Sequence, residues 1–408
     1  MEHLHALVIL MSLYDFLEIH RYIRSAGAFH QEAQTNMDDS KRPSSRDGTM
    51  RQPSNQQPYV PANRFSRSSL ILTWVILPLI VALLSYTSPL IVIFLPFLLL
   101  PTLGLLWYDR SHQHDQRTDL ETFLWTYFLT GTVGTTIIII IQSIISYGVA
   151  WLLFRSETDK FFKEFSKQET DIAQMDADSL LFRKAMAHRW QHWAFLFVVS
   201  FVAAGVVEES LKYYGLQFAR RYGRVLHPKN YLTLAMAAAL GFSTIEGIGF
   251  VCAAVKDGQA LNRVVLTVLE RVVFGPPSHA LGAALIGLNV VRRDFHGERL
   301  RFGHIIGPSV LFHGSFDFVI LGVSAYEGNV GWIHPRGKSL LLVLAFAIGF
   351  LTVMATIVRR RLAVLRDFKV SIGHSIQSLS LLTGTSVMLD ESLMITQMVE
   401  VIRSMYIY

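Results

Sequence analysis

The feature that most constrains this chain is a succession of apolar stretches, each long enough to cross a bilayer. A hydrocarbon core about 30 Å thick takes roughly 20 apolar residues per helical crossing, and lipid-exposed irregular backbone does not survive there. The block from Leu70 to Trp107, broken at Ser85-Tyr86-Thr87-Ser88-Pro89, predicts a hairpin of two spans. Phe123–Phe154 predicts a third, followed by Trp193–Phe218, Tyr231–Val255, Val264–Val291, Ile305–Val323 and Leu340–Val358. The expected fold class is all-α, a polytopic transmembrane helical bundle of about eight spans. With 51% hydrophobic and 17% charged residues, the 408-residue chain is too apolar for an ordinary soluble domain.

Around this membrane domain, residues 70–358, the sequence predicts two tails, 1–69 and 359–408. From Ser25 to Ser69 it is rich in Ser, Pro, Gln, Asn, Asp and Arg. Such a segment buries too little apolar surface to offset chain ordering, so the N-terminal tail is expected to be largely disordered. Leu4–Phe16 is apolar, but acidic Glu2 precedes it and no basic region does, which argues against a cleaved signal peptide. Residues 155–192 mix acids and bases with Phe161, Phe162, Phe165, Leu180, Leu181 and Phe182, the pattern of an amphipathic extramembrane segment. The net charge of +6 sits in loops beside the spans instead of in one stripe, so it points to topology and not to nucleic acid. Arg220, Arg221, Arg224 and Lys229, then Arg292, Arg293, Arg299 and Arg301, then Arg359, Arg360 and Arg361 fall on one side, with both termini cytosolic. A single cysteine, Cys252, excludes an intrachain disulfide and a cysteine-based metal cluster.

Several residues do not belong in hydrocarbon. Glu208, Glu209 and Lys212 lie within one span, and each ionisable group at a span centre opposes insertion by roughly 2.5–3.5 kcal/mol. The spacing lets both carboxylates reach the same ammonium. Glu246, in Gly241-Phe242-Ser243-Thr244-Ile245-Glu246-Gly247, has no local base and needs a partner from another helix. Pro276-Pro277 breaks the next span just before His279, and broken backbone at membrane depth implies a cavity or buried surface there. Taken alone, His279 reads as a packed core histidine. His313 and Asp317 form an i, i+4 pair in which the carboxylate can fix the ring tautomer. Four successive spans carrying such groups predict one shared polar cavity.

At these positions the chain resembles the PrsW family of intramembrane proteases, related to the CAAX prenyl endopeptidase and ABI group. The match is Glu208-Glu209-x-x-Lys212, Phe242-x-x-x-Glu246, His279 and His313-x-x-x-Asp317, within a core at about residues 193–323. It departs at Gly247, where family members often carry Asn. The resemblance implies hydrolysis of peptide bonds in membrane-associated polypeptides, within or beside the lipid bilayer. Glu208 or Glu209, tuned by Lys212, would activate water, His279 and His313 would stabilise the oxyanion, Glu246 would orient the water or a histidine, and Asp317 would hold His313. It also leaves a zinc ion open as cofactor, with Glu208 or Glu209, Glu246, His279 and His313 as ligands, although no His-Glu-x-x-His run is present. Metal-free glutamate catalysis is the preferred expectation. A proton-coupled transporter also uses intramembrane carboxylates and broken helices, but no inverted repeat is seen. A non-catalytic membrane scaffold is the other alternative.

Overall fold

The computed structural model describes residues 66–111, 117–223, 225, 227–256 and 258–383. The expected N-terminal tail up to residue 65, including Leu4–Phe16, and the C-terminal tail beyond residue 383 lie outside the described residues. Among the described residues the regular structure is helical throughout. The helical segments are α1 (Arg67–Tyr86), α2 (Pro89–Arg110), α3 (Leu120–Phe165), α4 (Glu169–Ala173) and α5 (Ala177–Ala187). Then come α6 (Trp190–Tyr222), α7 (Pro228–Lys256), α8 (Leu261–Val273), α9 (Gly275–Phe295), α10 (Phe302–Tyr326) and α11 (Gly337–Thr383).

Seven of these are long and apolar enough to cross a membrane: α1, α2, α3, α6, α7, α10 and the Gly337–Val364 part of α11. The chain is a polytopic helical membrane protein, as the apolar stretches predict. The expected span Val264–Val291 is two helices, α8 and α9, parted at Phe274. Pro276 and Pro277 lie at the start of α9, where the missing proline N–H groups leave no intrahelical bond unmade. Local chemistry sets other boundaries. Ser66 caps α1 by accepting from the Ser69 N–H at 3.2 Å, and Asp119 caps α3 by accepting from Thr122 N–H at 2.9 Å. Ser88 is extended and Pro89 opens α2, which makes the sharp hairpin expected there.

The chain divides into two compact units, Met1–Ile139 with Tyr214–Leu269, and Ile140–Tyr213 with Glu270–Tyr408. In the first, α7 is packed through small residues: Ala235, Ala237, Ala238, Ala239 and Gly241 are buried. Thr130 Oγ1 donates to the Ala238 carbonyl at 2.9 Å, and Tyr127 O–H donates to Thr244 Oγ1 at 2.8 Å. A Cβ on Gly241 would run into the Tyr127 carbonyl, so only glycine allows this backbone approach.

In the second unit, the apolar run of α3 ends at Arg155, whose φ of +50° turns the chain. Phe161 then stacks on Phe154 at 4.0 Å between centroids and packs edge-on to Phe195. Met186, Ala187 and Val330 complete that buried cluster. Residues Val199–Val206 of α6 form a π-helical stretch directly before Glu208, and α10 lies close against it, since a Cβ on Gly314 would strike the Phe201 ring. Such widened turns are frequent at functional sites.

Gly241→Val should lower the thermal midpoint in detergent, followed by circular dichroism, by a margin equivalent to about 1–3 kcal/mol of overpacking. Gly349→Ala, at a position with nothing within 4 Å, should leave it unchanged or raise it. Equal midpoints for Gly241→Val and the parent would show that the close approach is absent.

Candidate active site

The π-helical stretch hands directly over to the turn that carries Glu208 and Glu209, and the two carboxylates part company there. Glu209 is fully buried and saturated. Its Oε1 takes the Lys212 ammonium and His313 Nδ1, the latter at 2.7 Å, while its Oε2 accepts from Ser309 Oγ at 2.5 Å. Glu208 turns elsewhere: Gln142 Nε2 donates to its Oε1 at 2.9 Å, and its Oε2 lies 3.5 Å from His313 Nε2. The sequence spacing allows both carboxylates to meet Lys212, but the ion pair forms with Glu209.

Lys212 is itself buried and reaches His279 Nδ1 at 3.0 Å. An ammonium can only donate, so it directs the proton of a neutral His279 ring to Nε2. His279 stands in the first turn of α9 because the Gly275-Pro276-Pro277 break starts a new helix there. On α10, His313 has Glu209 at Nδ1 and Asp317 at Nε2, the latter at 3.3 Å. Glu209, the closer carboxylate, therefore shares with Asp317 the orienting role that the i, i+4 spacing suggests for Asp317 alone. The two histidine rings stand nearly perpendicular, with centroids 5.2 Å apart. A Cβ at Gly282 would meet Ser309 Oγ at 2.6 Å, so glycine lets α9 approach the carboxylate.

Glu208, Glu209, Lys212, His279, His313 and Asp317 are thus gathered within the second compact unit from α6, α9 and α10. Glu246 lies on α7, half-buried, within the first unit. Gln142 and Ser309 are additions that motif reading passed over. Gln142 is an amide directly after the run Ile137-Ile138-Ile139-Ile140-Ile141, which is itself a signal of intramembrane polarity; Ser309 follows Pro308 and carries no comparable signal.

One oxygen of Glu208 and one ring nitrogen each of His279 and His313 lie within 4.8 Å of one another. Two nitrogens and one carboxylate oxygen are a ligand set used by catalytic zinc, which keeps a further position for water. Glu208 stands in this cluster in place of Glu209, whose oxygens are spent on Lys212, Ser309 and His313. Glu208, Glu209 and Asp317 all lie against His313 while Lys212 pairs with Glu209 alone, which leaves negative charge that protons or a cation must neutralise.

The sequence profile of the family described as PrsW family intramembrane metalloprotease matches residues 172–348. The chain is 29% identical over 132 residues to a protein named Protease PrsW from Clostridioides difficile (strain 630), a stretch covering 31% of this chain and 53% of that relative. It is 27% identical over 144 residues to Protease PrsW of Bacillus subtilis (strain 168), covering 34% and 58% respectively. The chain spans just over half the length of these curated relatives. No solved structure matches it. Residues 172–348, the segment similar to the PrsW family, contain all the intramembrane ionisable residues singled out from the sequence.

Proposed function

We propose that the chain is an intramembrane endopeptidase that cleaves membrane-associated polypeptides in the lipid bilayer. The observation that carries this reading is the convergence, within one unit, of a buried Glu209–Lys212 pair on two histidines with a second carboxylate beside them. Glu208 is the general base: Gln142 fixes one of its oxygens, and the other is turned toward His313. Glu209 serves as the positioning group, since it is already engaged by Lys212, Ser309 and His313. A water gives its proton to Glu208 and its oxygen to the scissile carbonyl carbon. The oxyanion that forms accepts from His279 Nε2–H, and Glu208 returns the proton to the leaving amine as the C–N bond breaks. Glu246 is assigned the orientation of water or a histidine.

A second reading is favoured by the cluster of Glu208, His279 and His313 and by the description of the matching family as a metalloprotease. These three residues would hold the metal, and zinc when bound polarises a carbonyl and makes water acidic. The Lys212 contact at His279 Nδ1 weighs against this reading, because it directs the ring proton to the nitrogen that a metal would need. Both termini are assigned to the cytosol, from the basic loops, which makes the 21-residue α9 an eighth crossing beside the seven long apolar helices.

Glu208→Gln keeps size and removes basicity, so cleavage should fall about 10²-fold or more while the protein folds normally. Membrane proteomics of cells expressing the variant should reveal uncut polypeptides that are absent with the parent. Unchanged cleavage would remove Glu208 from the mechanism, and altered proton-coupled flux without any cut polypeptide would favour a transporter.

Glu209→Gln behaves differently, because it leaves the Lys212 ammonium buried without its counter-charge, at about 3–5 kcal/mol. Its thermal midpoint should drop well below that of Glu208→Gln. Glu209→Gln combined with Lys212→Met should recover much of the loss, and no recovery would deny the pair its structural role.

Chelation with EDTA should leave cleavage intact in the metal-free mechanism. Loss of activity restored by zinc would establish the metal reading in its place.

Tags at both termini should be digested from the cytosolic face of sealed vesicles. Protection of one tag alone would require an odd number of crossings.

A further inference from the structure

Helix α5 has an unusual distribution of side chains. Its inward face carries a charge: Arg183 is fully buried, donates to the Glu164 main-chain carbonyl, and pairs with the Glu164 carboxylate at 3.2 Å. Met186 and Ala187 beside it enter the aromatic cluster of the second unit. The outward sides of the same helix carry Leu180, Leu181 and Phe182 in a single turn, all exposed, with Leu181 at 65%. Lys184 and Ala185 are exposed next to them. A helix in water would place these residues the other way round, since fully burying a leucine or phenylalanine stabilises by about 1.5–3 kcal/mol and an inward arginine needs a partner. The Arg183–Glu164 contacts fix the helix in this orientation.

The position of α5 supplies what covers the exposed turn. The helix ends three residues before Trp190, which opens the membrane-spanning α6 and is 69% exposed. An exposed tryptophan at the start of a span marks the level of the headgroups. We propose that α5 is an interfacial helix, lying along the membrane at the level where α6 enters it, with Leu180, Leu181 and Phe182 inserted at the boundary between phospholipid headgroups and acyl chains. Lys184 stands at the same turn with a long stem suited to reach lipid phosphates. The membrane is thereby gripped by a helix whose inner face is locked to the Phe161 and Phe195 cluster. This inference depends on the membrane architecture alone and stands apart from the proposed protease activity.

The test uses the full chain in phosphatidylcholine and phosphatidylglycerol nanodiscs. In a Cys252→Ser background, Leu181→Cys carries an environment-sensitive fluorophore, with Ala185→Cys as a second, milder outward position. Spin-labelled lipids that quench near the headgroup should remove roughly half of the fluorescence at both positions, as expected for an apolar face buried about 5–10 Å deep. Lipids that quench near the chain ends should do less. Ile140→Cys, exposed on the apolar run of α3, should give the opposite order. Labels at Leu181→Cys and Ala185→Cys that no lipid quenches, or that the chain-end quencher affects most, would overturn the proposal.

Discussion

The buried Lys212–Glu209 ion pair is the interaction on which the rest of the site depends. Both partners are almost wholly removed from solvent, and an isolated charge in such a place is costly enough to unfold the region around it. Each partner is therefore held by further contacts: Glu209 by Ser309 and His313, Lys212 by His279. These contacts reach α9 and α10 from α6. The need to satisfy one pair of charges thus brings two histidines from separate helices to within 5.2 Å of each other. Glu208, one residue away and on a different side of the helix, is released from that structural duty.

Two backbone irregularities make this geometry accessible. The π-helical turns at Val199–Val206 change the register of α6 just before the carboxylates, and Gln142 Nε2 donates to the Ala203 carbonyl there at 3.1 Å while also holding Glu208. A carbonyl displaced from regular α-helical bonding at membrane depth needs such a donor. At the other side, the Gly275-Pro276-Pro277 break starts α9 at the depth where His279 is required. Regular helices alone would not have aimed these side chains at one another.

The helical fold was legible because the bilayer imposes a length and a composition that few sequences satisfy by accident. The spans read from apolar runs correspond to helices, save that Val264–Val291 is divided in two, as the two prolines already hint. The polar residues were legible as a group for the same reason, since charge in hydrocarbon demands a partner. Their pairing was not. Spacing of three and four residues made Glu208 and Glu209 equivalent partners for Lys212, and only the widened turns and the approach of Ser309 and His313 separate them. Ser309 was invisible because a serine in a helix ordinarily bonds its own backbone. Glu246 was read as a member of the same set from its cost of insertion, and its part in the chemistry rests on that argument.

The central claim, that Glu208 activates water at a site built around the Glu209–Lys212 pair, is tested most directly by isotope transfer. Parent and Glu208→Gln proteins would be reconstituted with a membrane polypeptide found to accumulate uncut in cells expressing the variant, and incubated in H₂¹⁸O. Mass spectrometry of the new C-terminus should find the heavy oxygen in its carboxylate with the parent protein and about 10²-fold less product with Glu208→Gln. Labelled product forming equally fast with both proteins, or no cleavage by the parent, would contradict the account.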